Sequence, residues 1–554
     1  VMTGLSINTV TTTSTEINGT GVVGATITAE ADHQVLGTGK VGPNGLYAIP
    51  IPPQAAGVKL RVSQTDGPVE VMETEVSSNT NQEVDDLVAT SVADFGANAL
   101  DANSTLDQST KLQNIINKAS AANKKVFIPA GNYVINSSIR MLTNMKLKGD
   151  LTQGTVLKNT SGSGVSFHAS EYSEKRNISI NNLLLDGISI SARVATNIAI
   201  TNTIFYNPRP GFNIILYASN NATIKSNIFM RDAKHAQPGA GNTTIYVSGF
   251  ATSGTYRHML NTQIEGNIIG LKISELSGIR SVSAEETKPT ITKLQTLVAA
   301  KKIDVEEEEH NYISTGINSY NTLKDAKINK NFFYSNSDNV DKHGVGQDHA
   351  IYLRGSQNID FVGNHVRGFQ NGASGGIKFK SGRNILIMNN YFRNTGIIMY
   401  GNGEFGLGDT YVRIAELSNW LVANNTIDWK RWESSYKIGM ELNYPTRTAN
   451  TKNGVFIDNR YINYRNIPSN RKQLMKIASD DDIGFLPRDS YVAGNTRDDT
   501  VDGLLKAENW PANYVYPTTS NFNDWNVLLH PSLGAAYHEY IHTKIPMRDD
   551  LKVK

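Results

Sequence analysis

Two adjacent columns of cations are the residues of this 554-residue sequence best placed to do chemistry. When DHAIYLRGSQN, SGGIKFKSGRN and TYVRIAELSN are aligned on Asn358, Asn384 and Asn419, Ile351, Ile377 and Val412 fall on one side with Leu353, Phe379 and Ile414. Tyr352, Lys378 and Arg413 fall on the other side, flanked by Arg354, Lys380 and Ala415. Strands stacked about 4.8 Å apart would set these cations side by side, where they repel unless something anionic lies between them. Either they pair with Glu404, Asp409 or Glu416 on a solvated surface, or they neutralise the carboxylate of an acidic sugar. In the second case neighbouring cations lower one another's pKa, which equips a lysine to take the proton beside that carboxylate.

A competing chemistry uses carboxylates. Glycoside hydrolysis needs an acid and a base or nucleophile, about 5 Å apart for retention and about 6.5–9.5 Å for inversion. Asp348, Glu404, Asp409, Glu433 and Glu441 are the candidates. In either chemistry Tyr352, Arg354 and His349 are candidate substrate contacts, and Trp429 and Trp432 either stack on sugar rings or simply pack. His538-Glu539-Tyr540-Ile541-His542 fits the HExxH zinc helix, but Pro546 would end that helix early and no third ligand follows. It is expected to be part of a C-terminal cap, and no metal site is expected.

The elements that must position these groups announce themselves through asparagine. Asn221/Asn227, Asn261/Asn267, Asn358/Asn364, Asn384/Asn390, Asn419/Asn425 and Asn453/Asn459 each bracket a short run that alternates apolar and polar residues. Each run predicts a strand with one buried face, and the copies recur about every 20–40 residues, the mark of a solenoid. One coil cannot bury its own apolar face, so the coils must stack, and asparagines at a fixed corner then bond to their equivalents one coil away. They read as turn and ladder residues rather than catalysts.

Composition narrows the partners. With 53 basic and 51 acidic residues the formal charge is +2, so nothing global invites nucleic acid, and recognition of a polyanion must be local. No cysteine is present, which excludes disulfides and thiolate chemistry. No run of 18 apolar residues spans a membrane, and the sequence begins at Val1 with no visible signal peptide, which fits either a processed protein or a trimmed sequence and does not by itself show secretion.

Residues 5–80 carry alternating Thr, Val and Gly-rich runs, including INGTGVVGATITAEA and PNGLYAI, and predict a small β-sandwich. They resemble bacterial immunoglobulin-like modules, which implies a place on the cell surface or in the medium. SNTNQEVDDLVAT reads as a linker. Leu112, Ile115, Ile116 and Ala119 then share one helical face, with Asp107 to cap its start, and KKVFIPAGNYVI reads as strand, turn, strand. With the DFGA opening, these residues are similar to the entry of the pectate-lyase-like right-handed parallel β-helices. That group includes polysaccharide lyases, uronan epimerases and phage tailspike depolymerases, and the resemblance covers about residues 90–500. KFKSGRNILIMNNYFRNTGIIMYGNG resembles the core motif of the chondroitinase B and alginate lyase family. The resemblance implies that Lys380, followed by Ser381, is the base, and that the family's arginine position falls at Tyr400. Acids on neighbouring coils resemble tailspike hydrolases, which would imply a trimer.

The expected architecture is all-β: an immunoglobulin-like sandwich at 1–85, a right-handed parallel β-helix at 86–502 with a helical insertion near 271–315, and a C-terminal cap at 503–554. The insertion, with Ile291, Leu294, Leu297 and Val298 on one face, is either a solvated excursion or a flap over a substrate groove. The expected function is cleavage of a polysaccharide outside the cell, by β-elimination of an acidic glycan through Lys380, Lys378, Arg413 and Tyr400. The alternatives are hydrolysis through Asp348, Glu404, Asp409 and Glu441, or glycan binding without turnover by an adhesin. No cofactor is required; calcium held by loop oxygens is compatible with the sequence because it leaves no spacing signature.

Overall fold

The computed structural model describes residues 5–401 apart from breaks, the longest being 77–84, 300–307 and 337–348, and then 414, 416–429, 440–443, 451–463, 475–478, 491–493 and 496–497. The chain divides into two compact units, Val1–Val88 and Ala89–Lys554.

In the first unit Glu16–Thr20 pairs with Leu46–Pro50, and a second sheet runs in the order Gln34–Lys40, Thr26–Ala31, Lys59–Thr65, Glu70–Glu75. Alternation puts Ile27, Ala29, Leu60 and Val62 inside with Ile17, Tyr47 and Ile49 from the other sheet. This is the immunoglobulin-like β-sandwich.

The second unit is a right-handed parallel β-helix whose coils have three strand faces, here called A, B and C. One full coil runs Ile214–Tyr217 (A), Thr223–Lys225 (B), Ile228–Met230 (C), and each strand pairs in parallel with its counterpart in the next coil. Face C is a continuous 12-stranded sheet. Inward positions stack in columns, such as Leu185, Phe205, Phe229, Ile269 and Phe333 on face C, where Phe205 and Phe229 stack at 4.8 Å between ring centroids. Trp420 points into this core with 1% exposure, and its partner one coil on is Gly454, which leaves room for the indole.

Both asparagines of the repeats from Asn221 to Asn425 are ladder residues. The corner between faces B and C is two residues long. Its first member is left-handed, as in Ser226, Lys330, Asn389 and Asn424, and its second is the buried asparagine. Asn227, Asn267, Asn331, Asn364, Asn390, Asn425 and Asn459 form a continuous chain of amides, each Nδ2 donating to the next Oδ1 and to a main-chain carbonyl of the preceding coil. These side chains are at most 2% exposed, so every polar atom must be satisfied by the stack. The corner between A and B carries a second ladder, in which Asn221 donates to Asn197, Asn261 to Asn221, Asn384 to Asn358 and Asn419 to Asn384. Asp325 holds one rung of it, accepting from Asn358.

The amphipathic helix Ser109–Ala121 packs Leu112, Ile115, Ile116 and Ala119 on the first coil, and Asp107 accepts from Ser109 N–H at its start. The insertion contains the helix Ala284–Ala299, which is neither a solvated excursion nor a flap over face A. Ile291, Leu294 and Leu297 bury themselves against Ile204, Ile228, Ile268 and Phe332 on the outside of face C, because those outward positions are apolar. Residues 503–554, with the HExxH sequence, lie outside the described residues.

Candidate functional site

Face A differs from the other two in its edges and in its exterior. The B–C corners are two residues long, whereas face A is reached and left through connections such as 231–242, 335–350, 368–376, 401–416 and 429–439. Long connections gathered round one face of a rigid coil are where sites are built.

The lysines sit on Ile377–Met388, a strand that bends from face A to face B. Ile377 and Phe379 point inward at 0% exposure, which turns Lys378 and Lys380 out. Glycine fixes both ends of the lysine segment. Gly376 has φ +70 and an added Cβ would lie 1.7 Å from Gly396 O, while at Gly382 a Cβ would lie 2.5 Å from Ser356 O.

Register gives two outward columns. Tyr352, Lys378 and Ile398 are paired in one, and Arg354, Lys380 and Tyr400 in the other. Glu441 follows Ile398 in backbone register. The expected place of Arg413 beside Lys378 is therefore taken by Ile398. The alignment on Asn419 fails because Ile397–Tyr400 is the next face A strand, and the connection 401–416 precedes the face B strand Leu417–Ala423. Arg413 itself, and Asp348, Glu404, Asp409, Glu433 and Trp432, lie outside the described residues.

Tyrosine rings are interleaved with the cations. The Arg354 guanidinium lies 3.9 Å from the Tyr352 ring centre and 4.7 Å from that of Tyr320. Lys378 Nζ lies 4.6 Å from Tyr352 and 5.5 Å from Tyr400, and Lys380 Nζ 5.8 Å from Tyr400. Each ring offers a negative face to a cation, which moderates the repulsion between neighbouring charges. Burial, and after it the positive charge of Arg354, hold the Lys380 ammonium below the usual lysine range.

Two expected contacts are corrected. Trp429 is 1% exposed and has no ring face to offer a sugar. His349 is fully buried, its ring 4.8 Å from that of Tyr352, so it supports that tyrosine from below rather than touching substrate.

Face A carries further aromatic residues that the sequence reading missed. Arg193 lies over Tyr217 at 5.9 Å, Tyr217 and Tyr246 are 5.4 Å apart, and Tyr320 is 48% exposed. Their signal was a tyrosine at an outward position in NIILYAS, TTIYVS and INSY, hidden because long insertions separate the three coils. Among the described residues, the outward positions of face A from Arg193 to Tyr400 carry no carboxylate.

Comparison with known proteins agrees with this architecture. Residues 3–85 match the bacterial Ig domain family, and residues 89–297 match the family described as rhamnogalacturonase A/epimerase, pectate lyase-like. No curated protein matches the chain. Among solved structures, the Streptococcus pneumoniae surface protein and adhesin PfbA is 14% identical, covering 74% of this chain and 97% of that one at a TM-score of 0.46. The catalytic unit of a GH87 alpha-1,3-glucanase from Streptomyces thermodiastaticus is 11% identical, covering 88% and 89% at a TM-score of 0.41. A mannuronic acid specific polysaccharide family 6 lyase from human gut microbiota is 13% identical, covering 70% and 90% at a TM-score of 0.33. On the two family matches, the chain carries a bacterial immunoglobulin-like domain over residues 3–85 and a pectate-lyase-like domain over residues 89–297.

Proposed function

We propose that the chain acts on a polysaccharide, and that face A cleaves an acidic glycan by β-elimination with Lys380 as base. One observation carries this reading: Lys380 stands in register between Arg354 and Tyr400 on the outside of face A, with its ammonium held below the usual lysine range. The pectate-lyase-like match supports action on polysaccharide in general.

In this mechanism Arg354 and Lys378 neutralise the uronate carboxylate, which acidifies the neighbouring C5 proton. Neutral Lys380 takes that proton, the electron pair forms the C4=C5 double bond, and the C4–O bond to the next sugar breaks. The hydroxyl of Tyr400, whose ring lies beside Lys380, gives a proton to the departing oxygen and recovers one from the lysine. No water is consumed, and one product end is unsaturated. An epimerase would share the first step and return the proton to the other face of C5. The immunoglobulin-like domain supports placing this activity outside the cell, in the medium or at the surface.

The test is incubation with a panel of acidic and neutral polysaccharides, recording ultraviolet absorbance of the new conjugated double bond together with reducing ends. Both signals rising on an acidic glycan support elimination. Reducing ends without absorbance would transfer the reaction to a carboxylate pair, with Glu441 on the same face as the first residue to test. Binding with neither signal would leave an adhesin.

A further inference from the structure

The aromatic and cationic exterior of face A extends well beyond Lys380, toward the N-terminal coils. Arg193 pairs with Tyr217, and Tyr217 with Ser248. Ser248 Oγ donates to Asn321 O beside Tyr320, Arg354 lies over Tyr320, and Arg354 leads on to Lys380 and Tyr400. That is one column of six coil steps, roughly 29 Å long at about 4.8 Å per coil. Beside it runs Tyr246, Asn318, Tyr352 and Lys378.

We propose that Arg193, Tyr217, Tyr246 and Tyr320 form an extended binding strip for the unreacted part of the same acidic glycan, laid parallel to the coil axis. The inference rests on the acidic-glycan reading for its ligand, and adds how much of the chain is held and by which residues. Two features select this occupant. The strip is continuous with the Arg354–Lys380 cluster. It sets tyrosine rings, whose faces stack on the C–H surface of a sugar, between two guanidinium groups, Arg193 and Arg354, which pair with carboxylates. An acidic chain laid along the strip meets Arg193 at one end, rings over the middle coils, and Arg354 and Lys380 at the other end.

The strip predicts that affinity grows with chain length. Short and long fractions of alginate, polygalacturonate and hyaluronan are titrated against wild type, Tyr320→Ala, Tyr320→Phe and Arg193→Gln, all in a Lys380→Ala background so that nothing is cleaved. Tyr320→Ala is the safe variant for folding because its ring is half in solvent. The expected result is tighter binding of a long fraction than of its short counterpart. Tyr320→Ala should weaken the long fraction about threefold to tenfold and Tyr320→Phe much less, as loss of one ring contact implies. Arg193→Gln should lower the salt sensitivity of the long fraction. Equal affinity for long and short fractions, or no binding of any fraction, overturns the strip. The two readings fail separately: length-dependent binding by a wild type that never produces an unsaturated end keeps the strip and removes the lyase, whereas elimination without length dependence does the reverse.

Discussion

Faces A and C are built from the same coils, with the same alternation and spacing, yet their exteriors are opposites. Outside face C, Ile204, Ile228, Ile268 and Phe332 are apolar and closed by the helix Ala284–Ala299. Outside face A, Arg354, Lys378 and Lys380 alternate with Tyr320, Tyr352 and Tyr400, and long connections leave from its edges. The inward columns are interchangeable in kind, so the scaffold is indifferent to function, and the outward columns decide it. An apolar outward column recruits its own cover from the chain. A charged one is instead interleaved with tyrosine rings.

Substitutions on the two faces should therefore separate activity from stability. The largest effect is expected at Lys380→Ala, which should lower turnover by about 10²–10⁴-fold while leaving the unfolding midpoint close to wild type. Next comes Leu294→Ala under face C, which removes a fully buried side chain and should cost about 2–5 kcal/mol in denaturant unfolding with turnover retained. A smaller effect, of electrostatic origin, is expected at Asp360, an outward position of face B that is nevertheless 6% exposed and whose carboxyl burial pushes up from 3.8 to about 7. The native chain keeps this proton through a window in which the unfolded chain has lost it, so stability falls as pH rises from about 4 to 7. Asp360→Asn should raise the unfolding midpoint at pH 8 and leave it unchanged at pH 4. The smallest is at Arg354→Gln. Removing its charge should let the Lys380 pKa rise, which moves the alkaline rise of the rate–pH profile upward, and it should also raise KM. A chelator should leave the rate unchanged if the chemistry needs no metal.

The coils were legible because asparagine is costly to bury without partners and tolerant of the left-handed conformation. Two residues such as Asn384 and Asn390 therefore mark two corners of one coil. The same logic explains the rung that escaped notice: Asp325 stands six residues before Asn331, with a carboxylate where its neighbours have an amide. The Arg354–Lys380 register could be read because Ile351–Val362 and Ile377–Met388 are uninterrupted strands of equal length. The Arg413 register could not, because a long connection between Tyr400 and Leu417 breaks the fixed distance from the outward residues to the corner asparagine. Nor could burial be read from residue type. Trp429 and His349 look like sugar-binding residues in sequence, and the fold uses both as packing. The insertion's apolar stripe was visible, but its partner on face C was not, since outward apolar residues of several coils become a surface only once the coils are stacked.

The most direct test of the claim that face A carries the chemistry is elimination measured side by side for wild type, Lys380→Ala and Leu294→Ala, on an acidic glycan that wild type cleaves and at a temperature where all three are folded. The account predicts that Lys380→Ala is folded and inert while Leu294→Ala is active and less stable. An active Lys380→Ala protein would contradict it.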